Sequence, residues 1–235
     1  MRKSLSIASL FLIILSTTIL SSAQTTVTLN STFGVDGFVT SGGSVVTWTQ
    51  AMAGDTVVDT GVRGFVSFDI GTLPSGSNII SATLRIYQEA VNGAPYTDLG
   101  NLLVDHLDYG GTLVGADYNS APIQANIGTL STDAVIEFKT LDVTLRLQDD
   151  IDNTRTRSQY RLLFPIETDN DSVEDAAFFT SANIGGNTPE LVVTYESVAA
   201  ASGIPTMTEW GTIIFIVLVG SGAFFFLRRR RLIHP

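Results

Sequence analysis

The chain is 235 residues long, 44% hydrophobic and free of cysteine, with 23 Asp and Glu against 13 Lys and Arg, a formal net charge of −10. The acidic balance excludes the basic footprint that nucleic-acid phosphates require, and the missing cysteines exclude a disulfide-stapled scaffold and a thiol nucleophile. A chain of this length buries enough surface for a self-sufficient core.

Met1-Arg2-Lys3 is a basic start, Leu5 to Leu20 is apolar with interspersed Ser and Thr, and Ser21-Ser22-Ala23 supplies the small residues of a cleavage site. That order predicts a secretory signal peptide over residues 1–23, cut after Ala23, with an uncleaved anchor as the competing reading. Setting aside Arg2, Lys3 and Arg228–Arg231 leaves seven basic residues against all 23 acids in Gln24–Glu209, a formal −16. Such a body repels acidic polysaccharides except at a local basic patch, and it favours divalent cations.

One domain is expected over residues 24–195. Short alternating or apolar runs separated by Gly, Pro, Asn and Asp predict strands at Thr26–Leu29, Val45–Thr49, Gly64–Asp69, Ala82–Gln88 and Leu102–Leu107. Further strands are predicted at Val135–Thr140, Tyr160–Phe164, Ala177–Thr180 and Leu191–Tyr195. In Ala82–Gln88 the residues Ala82, Leu84 and Ile86 share one face and Thr83, Arg85 and Tyr87 the other, the period of a half-buried antiparallel strand. Val66, Phe68 and Ile70 form the inward set of the preceding strand. The expected fold is all-β, an antiparallel β-sandwich of jelly-roll type. One short helix is predicted at Leu145–Ile151, capped by Thr144, with Leu147 and Ile151 aligned at i, i+4. Residues 196–203, small and unpatterned, read as a linker.

Residues 204–235 are tripartite. The motif Ile204, Pro205, Thr206, Met207, Thr208, Glu209, Trp210 and Gly211 precedes an apolar transmembrane helix at 212–227, broken by Gly220-Ser221-Gly222, and a basic tail at 228–235. Gly211–Leu227 as a helix is roughly 26 Å long at about 1.5 Å per residue, the short end of what spans a bilayer core of about 30 Å. Arg228–Arg231 resist translocation, so the C-terminus is expected in the cytoplasm and the body outside, with Trp210 at the interface. By composition alone this is a single-pass anchor.

The motif, helix and basic end, in that order, resemble the IPTL-CTERM bacterial protein-sorting signal, whose pattern runs Ile-Pro-Thr-Leu-Ser-Glu-Trp-Gly. Met207 and Thr208 depart from it conservatively; the other six positions match. The resemblance implies a transient inner-membrane anchor that an exosortase-type enzyme cuts near the motif, releasing the body or transferring it to the cell surface or extracellular matrix. The tail is then a substrate.

Three blocks of the body together resemble the DNRLRE domain, a β-sandwich family related to carbohydrate-binding module family 96. The first runs Val62-Arg63-Gly64-Phe65-Val66-Ser67-Phe68-Asp69-Ile70 through Leu73-Pro74 to Ile79–Tyr87. The second is Leu141-Asp142-Val143-Thr144 with its helix, and the third joins Tyr160-Arg161-Leu162 to Pro189–Tyr195. The likeness implies an extracellular module that binds or organises polysaccharide, in which Arg63 and Arg85 pair with buried carboxylates. The opening segment Phe33–Gly61 matches the family poorly.

Catalytic chemistry finds little footing. His106 and His234 are the two histidines, His106 reads as a strand residue, and no Gly-x-Ser-x-Gly elbow is present. The expectation is a protein that is not an enzyme. Glu167–Asp175 packs five carboxylates into nine residues, and alternate loop positions make Glu167, Asp169, Asp171 and Asp175 a candidate Ca²⁺ site, against the alternative of a solvated acidic loop. Asp149-Asp150-Ile151-Asp152 reads as plain surface. For sugar binding the candidates are Trp48, Tyr87, Tyr109 and Tyr118, with Tyr96 in a similar polar loop, and the basic pair Arg155 and Arg157. Core packing is the alternative for Trp48, and charge balance against Asp149–Asp152 the alternative for the arginines.

The reading that results is an exported, non-catalytic cell-surface protein that binds or organises extracellular polysaccharide. A structural surface, matrix or adhesion protein without specific glycan binding is the rival, and a polysaccharide-degrading enzyme ranks last.

Overall fold

The computed structural model describes residues 24–183, 185–197 and 207–230. The predicted signal peptide, most of the predicted linker, and Ile204 to Thr206 of the tail motif lie outside the described residues. The chain divides into two units, Met1–Ser197 and Val198–Pro235.

The first unit is a mostly antiparallel β-structure. Its strands are β1 Gln24–Asn30, β2 Gly37–Thr40, β3 Val45–Val46, β4 Ala51–Asp55, β5 Gly61–Asp69 and β6 Asn78–Asn92. After a single helical turn, α1 Pro95–Asp98, come β7 Leu102–Leu107, β8 Gln124–Ser131 and β9 Phe138–Asp142. The helix α2 Thr144–Asp152 leads into β10 Arg157–Leu163, β11 Ala176–Phe179 and β12 Glu190–Glu196. The strands form one curled sheet, a half-barrel, in the order β1-β12-β6-β11-β4-β5-β10-β7-β8. β2 joins β5, β3 joins β2, and β9 joins β6.

The long strand β6 is what curls the sheet. Its first half pairs with β12 and β9, and from Gln88 onward it pairs with β11, with bulges opposite Thr194/Tyr195 and Phe178/Phe179. Bulges raise local twist and bend the strand, so one strand serves both walls. The predicted alternation holds: Ala82, Leu84 and Ile86 are buried while Thr83, Arg85 and Tyr87 are half-buried on the outer face. From the opposite wall Val66, Phe68 and Ile70 enter the same core, with Tyr160, Leu162, Phe179, Leu191 and Val193. Leu147 of α2 enters it fully buried, and Ile151 packs against its margin, as the i, i+4 spacing predicts. β5 is buried on both faces: Phe65 turns away from the main core into a second cluster with Val39, Leu107, Tyr109 and Tyr118.

Several predicted boundaries are corrected. Only Val45–Val46 of the predicted strand Val45–Thr49 is a strand. Val135 and Ile136 are exposed in a loop, and the strand begins at Phe138. Gln88 donates to the carbonyls of Asp133 and Val135, at 3.1 and 3.0 Å, and holds that loop off the sheet. The helix begins at Thr144 itself, whose N–H and hydroxyl both go to Asp142 Oδ1, at 2.9 and 2.6 Å, so the acceptor at the helix start is Asp142.

The second unit holds α3, Met207–Arg230. It is longer than the predicted 212–227, about 36 Å at 1.5 Å per residue, and it takes in the second half of the tail motif. Gly220-Ser221-Gly222 does not interrupt it: the Ser221 hydroxyl donates back to the Val217 carbonyl at 2.7 Å, which satisfies it within the helix. Gly211–Arg228 is long and apolar enough to cross a membrane, with a mean hydropathy of 2.0.

Candidate functional site

A sugar-binding surface needs exposed flat rings beside planar hydrogen-bonding groups. Two predicted rings fail that test. Tyr109 is buried edge-on to Phe65, centroids 5.4 Å apart, and burial pushes its phenol well above the ordinary range. Tyr118 is buried beneath the Arg63 guanidinium, 4.2 Å from its ring centroid, and its phenol is likewise pushed up by burial. Both belong to the second core cluster and pack instead of presenting a face. Tyr87 is half-buried and meets Phe138, its register partner on β9, edge-on at 5.2 Å, with Arg85 stacked 4.5 Å from the Phe138 ring. That stack satisfies itself.

Trp48 is different. It is 72% exposed, which overturns the core-packing alternative, and the sequence reading missed a second exposed ring, Phe33, at 76%. The two lie in the poorly matched opening segment, and their chain neighbours converge on one loop. Gly34 N–H donates to Asn183 Oδ1 at 2.8 Å, and Ser181 Oγ donates to the Thr49 carbonyl at 2.6 Å. Gly34 makes this approach in a left-handed turn, φ +75°. Asp36, buried behind the loop, accepts the N–H of Ser67 at 2.9 Å and of Ala182 at 3.2 Å, and so ties the loop to β5.

The two candidate arginines line one groove of about 490 Å³ with Asp108, Gly110, Gly111 and Asn153. Arg155 is spent on Asp149 and Asp150, at 2.6 and 3.0 Å, as the charge-balance alternative holds. Arg157 donates to the hydroxyls of Thr32 and Ser67, at 3.1 and 3.2 Å, and among the described residues no carboxylate lies within 4.0 Å of it. Its anchor Thr32 precedes Phe33. The segments that carry Phe33 and Trp48 are thereby both tied to the Ser181–Asn183 loop, and Thr32 links the same strip of chain to Arg157.

Other expectations about charged residues change. Asp150, read as surface, is fully buried and lies 2.8 Å from Nε2 of His106, itself fully buried on β7 and tilted over Tyr160 at 5.8 Å. Arg85 and Arg63 do pair with carboxylates, Glu190 and Glu167, but both partners are part-exposed. The arginines that meet buried carboxylates are Arg161, 2.6 Å from Asp105, and Arg155, 3.0 Å from Asp150.

The acidic loop is only half the predicted ligand set. Glu167 turns to Arg63, and Asp171 closes a turn by accepting Val173 N–H at 2.7 Å. Asp169 and Asp175 converge instead with Asp98, at the end of α1, their oxygens within 4.8 Å of one another. The Asp169 carboxyl is pushed up by partial desolvation and then by the charges of Asp171, Asp175 and Asp55.

No family model matches the chain, and no curated protein is detectably similar to it.

Proposed function

We propose that the chain is an exported, non-catalytic cell-surface protein whose jelly-roll β-sandwich body binds or organises extracellular polysaccharide. Its segment 204–235 acts as the sorting signal for an exosortase-type enzyme. The observation that carries the binding half is the pair of exposed rings, Phe33 and Trp48, on a strip of segments tied to the Ser181–Asn183 loop, with Arg157 hydrogen-bonded to the neighbouring Thr32. An exposed ring offers the flat face on which a sugar stacks, and an amide and a guanidinium among the neighbouring groups can meet its hydroxyls. Arg157, with no carboxylate within 4.0 Å among the described residues, lets an acidic sugar approach a body that otherwise repels it.

The full chain in detergent, applied to a glycan array, is expected to bind a restricted set of polysaccharides, and Trp48→Ala to weaken that binding about tenfold or more. A flat array would instead favour the matrix reading, in which the acidic body serves solubility and association. Reducing-sugar release from a bound glycan would establish the enzyme reading. Sorting is tested separately: mass spectrometry of the surface protein is expected to find a C-terminus upstream of Arg228. An intact Arg228–Arg231 would restore the plain anchor.

A further inference from the structure

We infer that Asp98, Asp169 and Asp175 form a Ca²⁺ site, with Asp55 behind it, where the end of α1, the Glu167–Asp175 loop and the end of β4 meet. Three carboxylates from two distant parts of the chain bring oxygens within 4.8 Å of one another, and oxygens so spaced can share one ion at about 2.3–2.6 Å. A second observation points to a ligand. Asp175 is 1% exposed and Asp55 fully buried, and Oδ2 of each has no hydrogen-bond partner.

Asp175 is locked in this position. Its N–H donates to Asp55 Oδ1 at 3.1 Å, its carbonyl accepts Asp55 N–H at 2.9 Å, and its Oδ1 accepts the N–H of Ala94. The backbone is shaped around it: Gly54 at φ +135° and Gly93 at φ +62° sit where a Cβ would overlap the Asp175 carbonyl and carboxylate respectively. These contacts satisfy one carboxylate oxygen and leave the other buried and bare. Among the described residues no Lys or Arg lies within 4.0 Å of Asp55, Asp98, Asp169 or Asp175. A buried anionic oxygen without donor or cation is strongly unfavourable, and an all-oxygen cation is the ligand that relieves it. Among the described residues the other acidic group of comparable spacing, His106 with Asp149 and Asp150, already holds its cation in Arg155.

Ca²⁺ is assigned over Mg²⁺ because loop carboxylates at this spacing suit a large ion of flexible geometry, whereas Mg²⁺ demands a tighter octahedron at about 2.0–2.1 Å. Water completes the shell beside exposed Asp169.

The full chain in detergent, freed of metal with EDTA, would be titrated with CaCl₂ and with MgCl₂ by calorimetry and melted in each. Saturable Ca²⁺ binding and a higher melting temperature in millimolar CaCl₂ are expected. Asp169→Asn, exposed and safe for folding, and Asp98→Asn should each weaken Ca²⁺ about tenfold or more. Glu167→Gln, in the same loop but turned to Arg63, should bind as the wild type does. Absence of Ca²⁺ heat, equal affinity for MgCl₂, or wild-type binding by Asp169→Asn would overturn the assignment. So would loss of binding in Glu167→Gln with Asp98→Asn unaffected.

Discussion

Arg161→Met is expected to destabilise the β-body by about 3–5 kcal/mol, the cost of stranding a buried carboxylate. Arg161 and Asp105 face each other in the β10–β7 register, and Nε and Nη2 both donate to Asp105 Oδ2, at 3.1 and 2.6 Å. Oδ1 of the same carboxylate accepts Asn126 N–H at 2.8 Å, at the point where the β7–β8 ladder slips register. The remaining nitrogen, Nη1, reaches the carbonyls of Tyr118 and Ser120, at 3.1 and 2.9 Å, and closes the 3-10 turn Gly115–Asn119 against the sheet. The ion pair thus joins a buried charge, a β-bulge and a loop, the bulge through Asp105 and the loop through Arg161. Methionine keeps most of the apolar stem and none of the guanidinium's bonds. Domains are stable by about 5–15 kcal/mol, so the loss takes about a fifth or more. Urea unfolding followed by near-ultraviolet circular dichroism, which reports the buried tyrosines, measures it. A change below about 1 kcal/mol would show the network to be dispensable. Replacing Asp105 by Leu in the same chain is expected to recover part of the loss, because two matched apolar groups leave no orphaned charge.

The contrast between what the sequence announced and what it concealed follows one physical rule. Period-two alternation is legible where a strand has one wet face, as in Ala82–Gln88, and the inward sets of β5 and β6 were readable on that basis. β4, Ala51-Met52-Ala53-Gly54-Asp55, is buried throughout, so alternation vanishes. The pattern predicts no strand there, and the neighbouring Asp175 carbonyl leaves no room for anything larger than Gly54. At Val135-Ile136 the opposite happened: two β-formers lie exposed because Gln88 claims their loop's carbonyls.

The candidate sites were half legible for a related reason. Acid density marked Asp169 and Asp175, but Asp98 arrives from another part of the chain by way of α1, and no spacing rule encodes that meeting. Trp48 stood out as the body's single tryptophan, whereas Phe33 carried no signal of its own and shows itself only by its exposure beside the left-handed Gly34. Arg155 and Arg157 carry the same charge two positions apart, and only the fold separates a guanidinium in contact with two carboxylates from one with none within 4.0 Å among the described residues.

Asp36 makes the body's stability depend on pH in a direction opposite to that of an ordinary paired carboxylate. Burial raises its pKa from 3.8 to about 6, against the opposing pull of the Ser31 hydroxyl, the Ser67 and Ala182 N–H groups and the charge of Arg157. Between those two values the folded chain binds the proton and the unfolded chain does not, so unfolding free energy falls as pH rises. The stability this carboxyl contributes is fully present below about pH 4 and is lost as pH passes through about 6. About two units correspond to roughly 3 kcal/mol. Other carboxylates titrate in the same window, so the diagnostic quantity is the difference between wild type and Asp36→Asn. Urea unfolding from pH 4 to pH 7.5 is expected to show the wild type losing roughly 3 kcal/mol relative to the variant as pH rises, levelling off above pH 6 to 7. Parallel profiles would mean that Asp36 ionises in the folded chain as easily as in water. Because Asp36 is the group that ties the Ser181–Asn183 loop to β5, its ionisation sets the two N–H bonds behind the Trp48–Phe33 strip against the cost of a buried charge. The strip is therefore expected to be held by a fully ionised acceptor only above about pH 6, the same range in which that acceptor costs the fold most.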